Sequence, residues 1–389
     1  MSRTAVRSIP FARPWISEEE RGAVLEVLHG HILTHGPQAK AFEAEFGAFV
    51  GGAFCVSVSS CMAALHLAYL HFDIGRGDEV IVPAQTHSAA AHAVECVGAT
   101  PVFVDCDPAT GNVTAAGVAS AVTSRTRAIS VVHFLGIPCD MPAIMAVAER
   151  HRLKVVEDCA LAVGAYTHGQ HVGLFGDVGC FSFYPTKHIT TGEGGMFVSR
   201  HREVAEAVAR LRAFGVDRAH NERAIPGMYD VPTFGLNYRM SEMQAALGRA
   251  QLRRIGENLA RRRANFERLK KALVDLPLIR ILDVVGAEAN NSHYCLSVVL
   301  RVASQRRRNE IAASLATAGI GTSVYYPHPV PRMTYYRNKY GYDPHRFASA
   351  EAISDGTIAL PVGPHLVDDD IEWAAYHLRD ALGRPVHDA

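Results

Sequence analysis

Between Phe54 and Asp158 short apolar runs alternate with helix-patterned segments, and this alternation limits the fold more than any other feature of the chain. "FCVSV", "DEVIVP", "TPVFVD", "AISVVHF" and "KVVED" read as strands. "CMAALHLAYL", "SAAAHAVECVG" and a segment through Ile144, Val147 and Ala148 read as helices between them. The strands are continuous apolar runs, not half-polar stripes. Such strands need cover on both faces, which is the setting of a mainly parallel sheet in an α/β fold. "CFSFY" and "GMFVS" add two further short strands.

Helical patterns flank this block. Ser17 and Glu20 form a capping-box pattern, followed by an apolar face of Val24, Leu25 and Leu28. After the break "THGPQ", Phe42, Phe46 and Val50 mark a second amphipathic helix. Val204, Val208 and Leu211 mark another, stopping near Gly215. One long helix is predicted from near Ser241 past Met243, Leu247 and Ala250, through an arginine-rich part, toward Leu273. It bridges to a strand in "HYCLSVVLRV" and helices in "RRNEIAASLATAG" and "IEWAAYHLRDAL". The expected organisation is a large α/β domain over residues 1–250, with a parallel central sheet covered by helices. A smaller α+β domain follows over 251–389.

Composition excludes several classes. Lysine plus arginine and aspartate plus glutamate both total 39, so no nucleic-acid partner is expected. The start, "MSRTAVRSIPFARPW", lacks the apolar run of a signal peptide, and no stretch reaches membrane-spanning length. The eight cysteines form no CxxC pair and read as reduced, buried thiols of a cytoplasmic protein. Twenty histidines invite a metal, but no His or Cys cluster has a ligand pattern; His31 and His35 have helical spacing, yet Thr34, Gly36 and Pro37 make a loop there. No metal is expected.

In an α/β sheet, ligands gather where strands end and helices begin. Three such places carry chemistry. In "SVSSCMAALHLAY" a strand ends and Ser59 or Ser60 can cap the next helix, whose free N–H groups and dipole form an anion site. In "VVEDCA" a strand ends in Glu157 and Asp158, which period two sends to opposite faces. In "FSFYPTKHITTGEGG" Lys187 follows a strand and Pro185, fixed enough to be a reactive amine. Each alone has a commonplace reading: a serine cap, a surface ion pair, a solvated loop lysine. Together, in this order, an anion site, a carboxylate and a lysine are what pyridoxal phosphate (PLP) requires.

At these residues the chain resembles the DegT/StrS-type sugar aminotransferases, PLP enzymes of the aspartate-aminotransferase fold (fold type I). The resemblance runs from "RPWISEEE" and "LTHGPQAKAFEAEF" through "GDEVIVPAQTHSAAAHAV", "VVEDCALAVGA", "GDVGCFSFYPTKHITTGEGGMFVS" and "FGLNYRMSEMQAALGRAQL" to "ALPVGPHL". It implies that the large domain binds PLP. It makes Lys187 the lysine that bonds to the cofactor and shuttles the proton, and Asp158 the partner of the ring nitrogen. His87 falls where the family stacks an aromatic ring on the cofactor. Ser60, Cys61 and Met62 match the phosphate-binding turn, and Ser182 matches a phosphate ligand. Asn237 aligns with a residue lent by the neighbouring subunit, which implies a homodimer with composite active sites.

The chain also departs from the family. Cys61-Met62 stands where Gly-Thr is common, so the threonine hydroxyl is gone. Leu161 stands at the position of a glutamine near the cofactor's phenolic oxygen, and Val163 replaces a histidine. "YYPHPVPRM" departs from the family's histidine-bearing pattern; Tyr326 and His328, with Glu193, are the expected substrate contacts. The resemblance implies transfer of an amino group from glutamate or glutamine to a keto sugar, here a nucleotide-linked keto-deoxy sugar at C3 or C4. A keto-cyclitol is the alternative acceptor. Some relatives are dehydratases with histidine in place of the lysine. Here His188 is only adjacent, and Lys187 holds the register set by "TTGEGG". A non-catalytic PLP-binding regulator is the remaining reading, disfavoured by zero net charge and by the absence of an extra DNA-binding segment ahead of Ser17.

Overall fold

The computed structural model describes residues 7–217, 225 and 227–384. Its main sheet takes β1 (Phe54–Val58), β2 (Glu79–Pro83), β3 (Thr100–Val104), β4 (Thr126–Val132) and β5 (Lys154–Asp158). After a two-residue hairpin, β6 (Tyr166–Thr167) and β7 (Gln170–His171), it adds β8 (Val178–Ser182) and β9 (Gly195–Ser199). The spatial order is β1-β9-β8-β5-β4-β2-β3. Strands β3, β2, β4, β5 and β8 pair in parallel, and β9 runs antiparallel to β8 and β1. Every residue of β2, β8 and β9 is buried, as continuous apolar runs require.

Seven helices accompany these strands: α1 (Glu18–His29), α2 (Pro37–Val50), α3 (Cys61–His71), α4 (Ser88–Cys96), α5 (Ala115–Ser120), α6 (Met141–His151) and α7 (Arg202–Leu211). Phe42 and Phe46 of α2 are fully buried. Phe46 meets Phe181 edge-on at 5.1 Å, and Phe42 meets Phe183 at 5.2 Å. These rings clamp the segment that leads to Lys187. Truncating Phe46 to alanine would cost about 3–5 kcal/mol.

The helices match the expected positions with one correction, in the long helix. The capping box at Ser17 forms, with Glu20 accepting from Ser17 N at 2.7 Å. The inward face of α1, however, is Glu20 and Val27, while Leu25 and Leu28 are 54% and 52% exposed. Polar anchors set this rotation: Glu20 also accepts from Gln251 at 2.9 Å and from Arg254 at 3.1 Å. The long helix is two, α8 (Glu242–Arg253) and α9 (Ile255–Leu273). It breaks at Arg254 (φ −103°, ψ 7°), where the side chain turns back to Glu20 and stacks 4.0 Å over Trp15.

The rest of the chain builds a second core. Strands β10 (Ile279–Leu282), β12 (Leu296–Leu300) and β13 (Thr357–Leu360) form an antiparallel sheet. β11 (Ala289–Asn290) instead pairs with β6. Helices α10 (Gln305–Thr317), α11 (Thr334–Tyr340), α12 (Ala348–Gly356) and α13 (Asp368–Gly383) complete it. Phe266, Leu269, Leu315, Leu360 and Leu378 share this core, and Ile9 joins it from the N-terminal segment.

Polar bridges tie this part to the strand ends of the main sheet. Asp105 accepts from Ser349 N at 3.0 Å and Ala350 N at 2.9 Å, capping α12 across the boundary. Buried Gln85 donates to the Tyr325 carbonyl at 3.1 Å and accepts from Ser354 Oγ at 2.9 Å. Among the described residues, no helix is long and apolar enough to cross a membrane.

Candidate active site

The C-terminal ends of β4, β5 and β8, the segment just after β2 and the start of α3 meet around a cavity of about 520 Å³. This is where an α/β sheet presents ligands. Period two along β5 separates its last two carboxylates as expected. Glu157 is buried beneath the floor, accepting from Gly173 N (2.7 Å), Phe175 N (2.8 Å) and Gly176 N (2.7 Å). It also pairs with His133 Nε2 at 2.9 Å. His133 Nδ1 accepts from Cys139 N at 3.1 Å, so the ring proton sits on Nε2 and is donated to Glu157. His133, Glu157 and Cys159 lie close enough to hold a metal ion. The backbone donors and the imidazole already occupy the Glu157 oxygens, so His133 and Glu157 form a hydrogen-bonded pair.

Asp158 points the other way, into the cavity wall. It accepts from Ala160 N at 3.0 Å and from the Cys61 thiol at 3.7 Å. Burial pushes its carboxyl pKa up, against the Ala160 N–H and the nearby Lys187 and His87. A buried carboxylate with so few partners fits a cationic ring nitrogen.

The turn into α3 lines the same cavity through Ser60, Cys61 and Met62. Ser60 caps the helix, accepting from Ala63 N at 3.1 Å. The Cys61 and Met62 N–H groups belong to the first turn and have no acceptor inside the helix, which makes them anion donors. Ser182, at the end of β8, adds a hydroxyl. Gly195 of β9 packs directly beneath: an added Cβ would lie 2.5 Å from the Ser60 carbonyl carbon and 2.6 Å from Cys61 N. The donor set fits a phosphate.

Lys187 borders the cavity on a braced loop. Phe183 N bonds to Gly194 O and Thr191 N to Phe183 O, both at 2.9 Å, and Lys187 N bonds back to Tyr184 O at 2.9 Å, across Pro185. Burial pulls the amine pKa down; Asp158, Cys61 and Cys295 oppose it. The amine lies 5.3 Å over the Tyr294 ring. His188 is turned away, its Nε2 on Ser292 O at 3.0 Å.

His87 caps α4, accepting from Ala89 N at 3.1 Å, and meets Tyr326 edge-on at 5.6 Å. Burial lowers its pKa, with Asp158 opposing and Lys187 reinforcing. Leu161, Glu193 and Tyr326 also line the cavity. Two predicted residues do not. His328 is held outside by Arg332, whose Nε donates to its Nδ1 at 3.1 Å. Asn237 is exposed, paired with Ala213 outside the cavity of its own chain. Sequence reasoning missed Thr86, Phe134, Thr186 and Tyr325 on the wall and Tyr294 behind it. Thr86, Thr186 and Tyr325 adjoin predicted residues, the one signal that marked them.

A lysine, a buried carboxylate and a helix start with free N–H groups around one cavity have the chemistry to hold PLP, and the matches to known proteins make the chain a PLP-dependent aminotransferase of fold type I. Residues 14–379 match the model of the DegT/DnrJ/EryC1/StrS aminotransferase family, and the chain belongs to that family. It is 38% identical over 379 residues to the spore coat polysaccharide biosynthesis protein SpsC of Bacillus subtilis, covering 96% of this chain and 97% of that protein. The aminotransferase TlmJ from Streptoalloteichus hindustanus superimposes with a TM-score of 0.88 at 34% identity, covering 96% of this chain and 98% of the other. The PLP form of the putative sugar aminotransferase Spr1654 from Streptococcus pneumoniae gives 0.90 at 29% identity, with coverage of 96% and 98%.

Proposed function

We propose that this aminotransferase takes an amino group from glutamate, or glutamine, and passes it to the keto carbon of a nucleotide-linked keto-deoxy sugar at C3 or C4. The observation that carries the reading is the convergence of Lys187, Asp158 and the α3 start on one cavity, in a chain whose relatives include sugar aminotransferases.

Bound PLP supplies the aldehyde that accepts the amino group and a ring that absorbs electrons. The chain supplies the rest. The first-turn N–H groups of α3 and Ser182 Oγ bind the phosphate. Asp158 keeps the ring nitrogen protonated. Lys187 Nζ, favoured as a neutral amine by burial, would take the proton from the donor's amino-bearing carbon and hold it for return on the far side of the transferred nitrogen. Leu161, Phe134 and Tyr326 make an apolar wall that excludes water. With Lys187 in the cavity and His188 turned away, amino transfer is favoured over dehydration.

The partner is a second copy of the chain. Asn237, exposed and outside its own cavity, would serve the neighbour's phosphate site. Residues 1–250 act as the cofactor domain and 251–389 as the smaller domain, in a cytoplasmic enzyme. The test is incubation with glutamate and a panel of keto-sugar nucleotides and keto-inositols, reading product mass. An aminated sugar nucleotide is expected. Amination of keto-inositols alone would transfer the assignment to the cyclitol class, and amination of neither would overturn it.

A further inference from the structure

We propose that Tyr294 is a positioning residue for Lys187: its ring holds the amine in place, and its hydroxyl, linked to Tyr325, fixes the turn that presents it. This rests on the reading of Lys187 as the reactive amine.

Tyr294 sits just ahead of β12 and is 3% exposed, so its hydroxyl must find partners inside the protein. It finds two. Tyr294 Oη donates to Thr186 Oγ1 at 3.1 Å and lies 2.7 Å from Tyr325 Oη. A phenol has one proton to give, so Tyr294 accepts from Tyr325. The direction runs Tyr325 to Tyr294 to Thr186, and Thr186 immediately precedes Lys187 in the chain. The far end is anchored as well. The Tyr325 carbonyl is held by Gln85, and Gln85 by Ser354. A continuous path therefore joins the lysine turn to the segment that walls the cavity.

The ring does a second job. The Lys187 ammonium lies 5.3 Å over its centroid, within the range of a cation–ring attraction. That attraction favours the charged amine, whereas burial favours the neutral one. Tyr294 therefore limits how far the amine's proton affinity falls and keeps the nitrogen on one side of the cavity. Ring and hydroxyl can be removed separately, which distinguishes positioning from simple core packing.

The experiment uses full-length Tyr294→Phe, Tyr294→Leu, Tyr325→Phe and Thr186→Val. The Lys187 amine is titrated in cofactor-free protein by trace acylation across pH with mass spectrometry of the Lys187 peptide. Steady-state kcat and KM are measured on the loaded enzymes. Tyr294→Leu is expected to lower the amine pKa by about half a unit, while Tyr294→Phe, which keeps the ring, leaves it unchanged. Tyr294→Phe, Tyr325→Phe and Thr186→Val are each expected to reduce kcat about tenfold, with KM within about twofold of wild type. The proposal is overturned by an unchanged amine pKa in Tyr294→Leu, by wild-type kcat in the hydroxyl variants, or by a change in KM alone. If Tyr294→Leu does not fold, the hydroxyl variants decide. If wild-type enzyme transfers no amino group, the functional reading fails. The amine titration needs neither cofactor nor substrate and still tests the role of Tyr294.

Discussion

Asp158→Asn separates what the buried carboxylate does for the reaction from what it costs the fold. The substitution keeps the side chain's size and an acceptor for Ala160 N, and removes the charge. In cofactor-free protein burial raises the Asp158 pKa. The folded state then holds the proton more tightly than the unfolded chain. Stability from this group is fully present below the unfolded carboxyl pKa and is lost as pH rises through the raised folded value. Cofactor-free Asp158→Asn should therefore be more stable than wild type at neutral pH, with the difference closing at acid pH. Catalysis should move the other way. At an effective dielectric of about 20 a close pair of unit charges contributes on the order of 4 kcal/mol, so loss of the Asp158 charge lowers kcat roughly a thousandfold. Urea unfolding of both proteins without cofactor across pH, and kcat with cofactor, check the two halves. A variant within tenfold of wild-type kcat, or one less stable at neutral pH without cofactor, would rule out this role for Asp158.

Glu157→Gln removes the charge that four donors share and leaves one acceptor oxygen for three backbone N–H groups. It should lower the unfolding free energy by about 3–5 kcal/mol, measured in urea, and a loss below about 1 kcal/mol would contradict the network. Gly195→Ala drives a methyl into the Ser60–Cys61 turn. It should weaken PLP binding by about tenfold or more in equilibrium dialysis, and wild-type affinity would mean that this turn does not hold the phosphate. Lys187→Ala and Asn237→Ala subunits, each impaired alone, should regain activity when mixed, because one site of the mixed dimer is intact. No gain on mixing would reject shared sites.

The parallel sheet could be read from the sequence because its strands are apolar runs with both faces covered, a pattern that needs no knowledge of neighbours. The opposed faces of Glu157 and Asp158 followed from the two-residue period of β5. The capping box at Ser17 is local and forms. What the sequence left hidden depends on distant partners. Leu25 and Leu28 have helical spacing, but the anchoring of Glu20 by Gln251 and Arg254 turns them outward. The break at Arg254 has the same origin, because its side chain is drawn to Glu20 and Trp15. Tyr294 bonds to Thr186 and Tyr325, which lie 108 and 31 positions away. No local pattern announces such a contact. His328 lies off the cavity lining, and a histidine near a cavity-lining tyrosine carries no sign in the sequence that an arginine holds it.

Lys187 is proposed as the reactive amine of an amino-transfer site. The most direct test follows isotopically labelled nitrogen from glutamate into a keto-sugar nucleotide by mass spectrometry, comparing wild type with Lys187→Ala, both loaded with PLP. Labelled amino sugar from the wild type and none from the variant is the predicted result. Equal labelling in the variant would contradict the account.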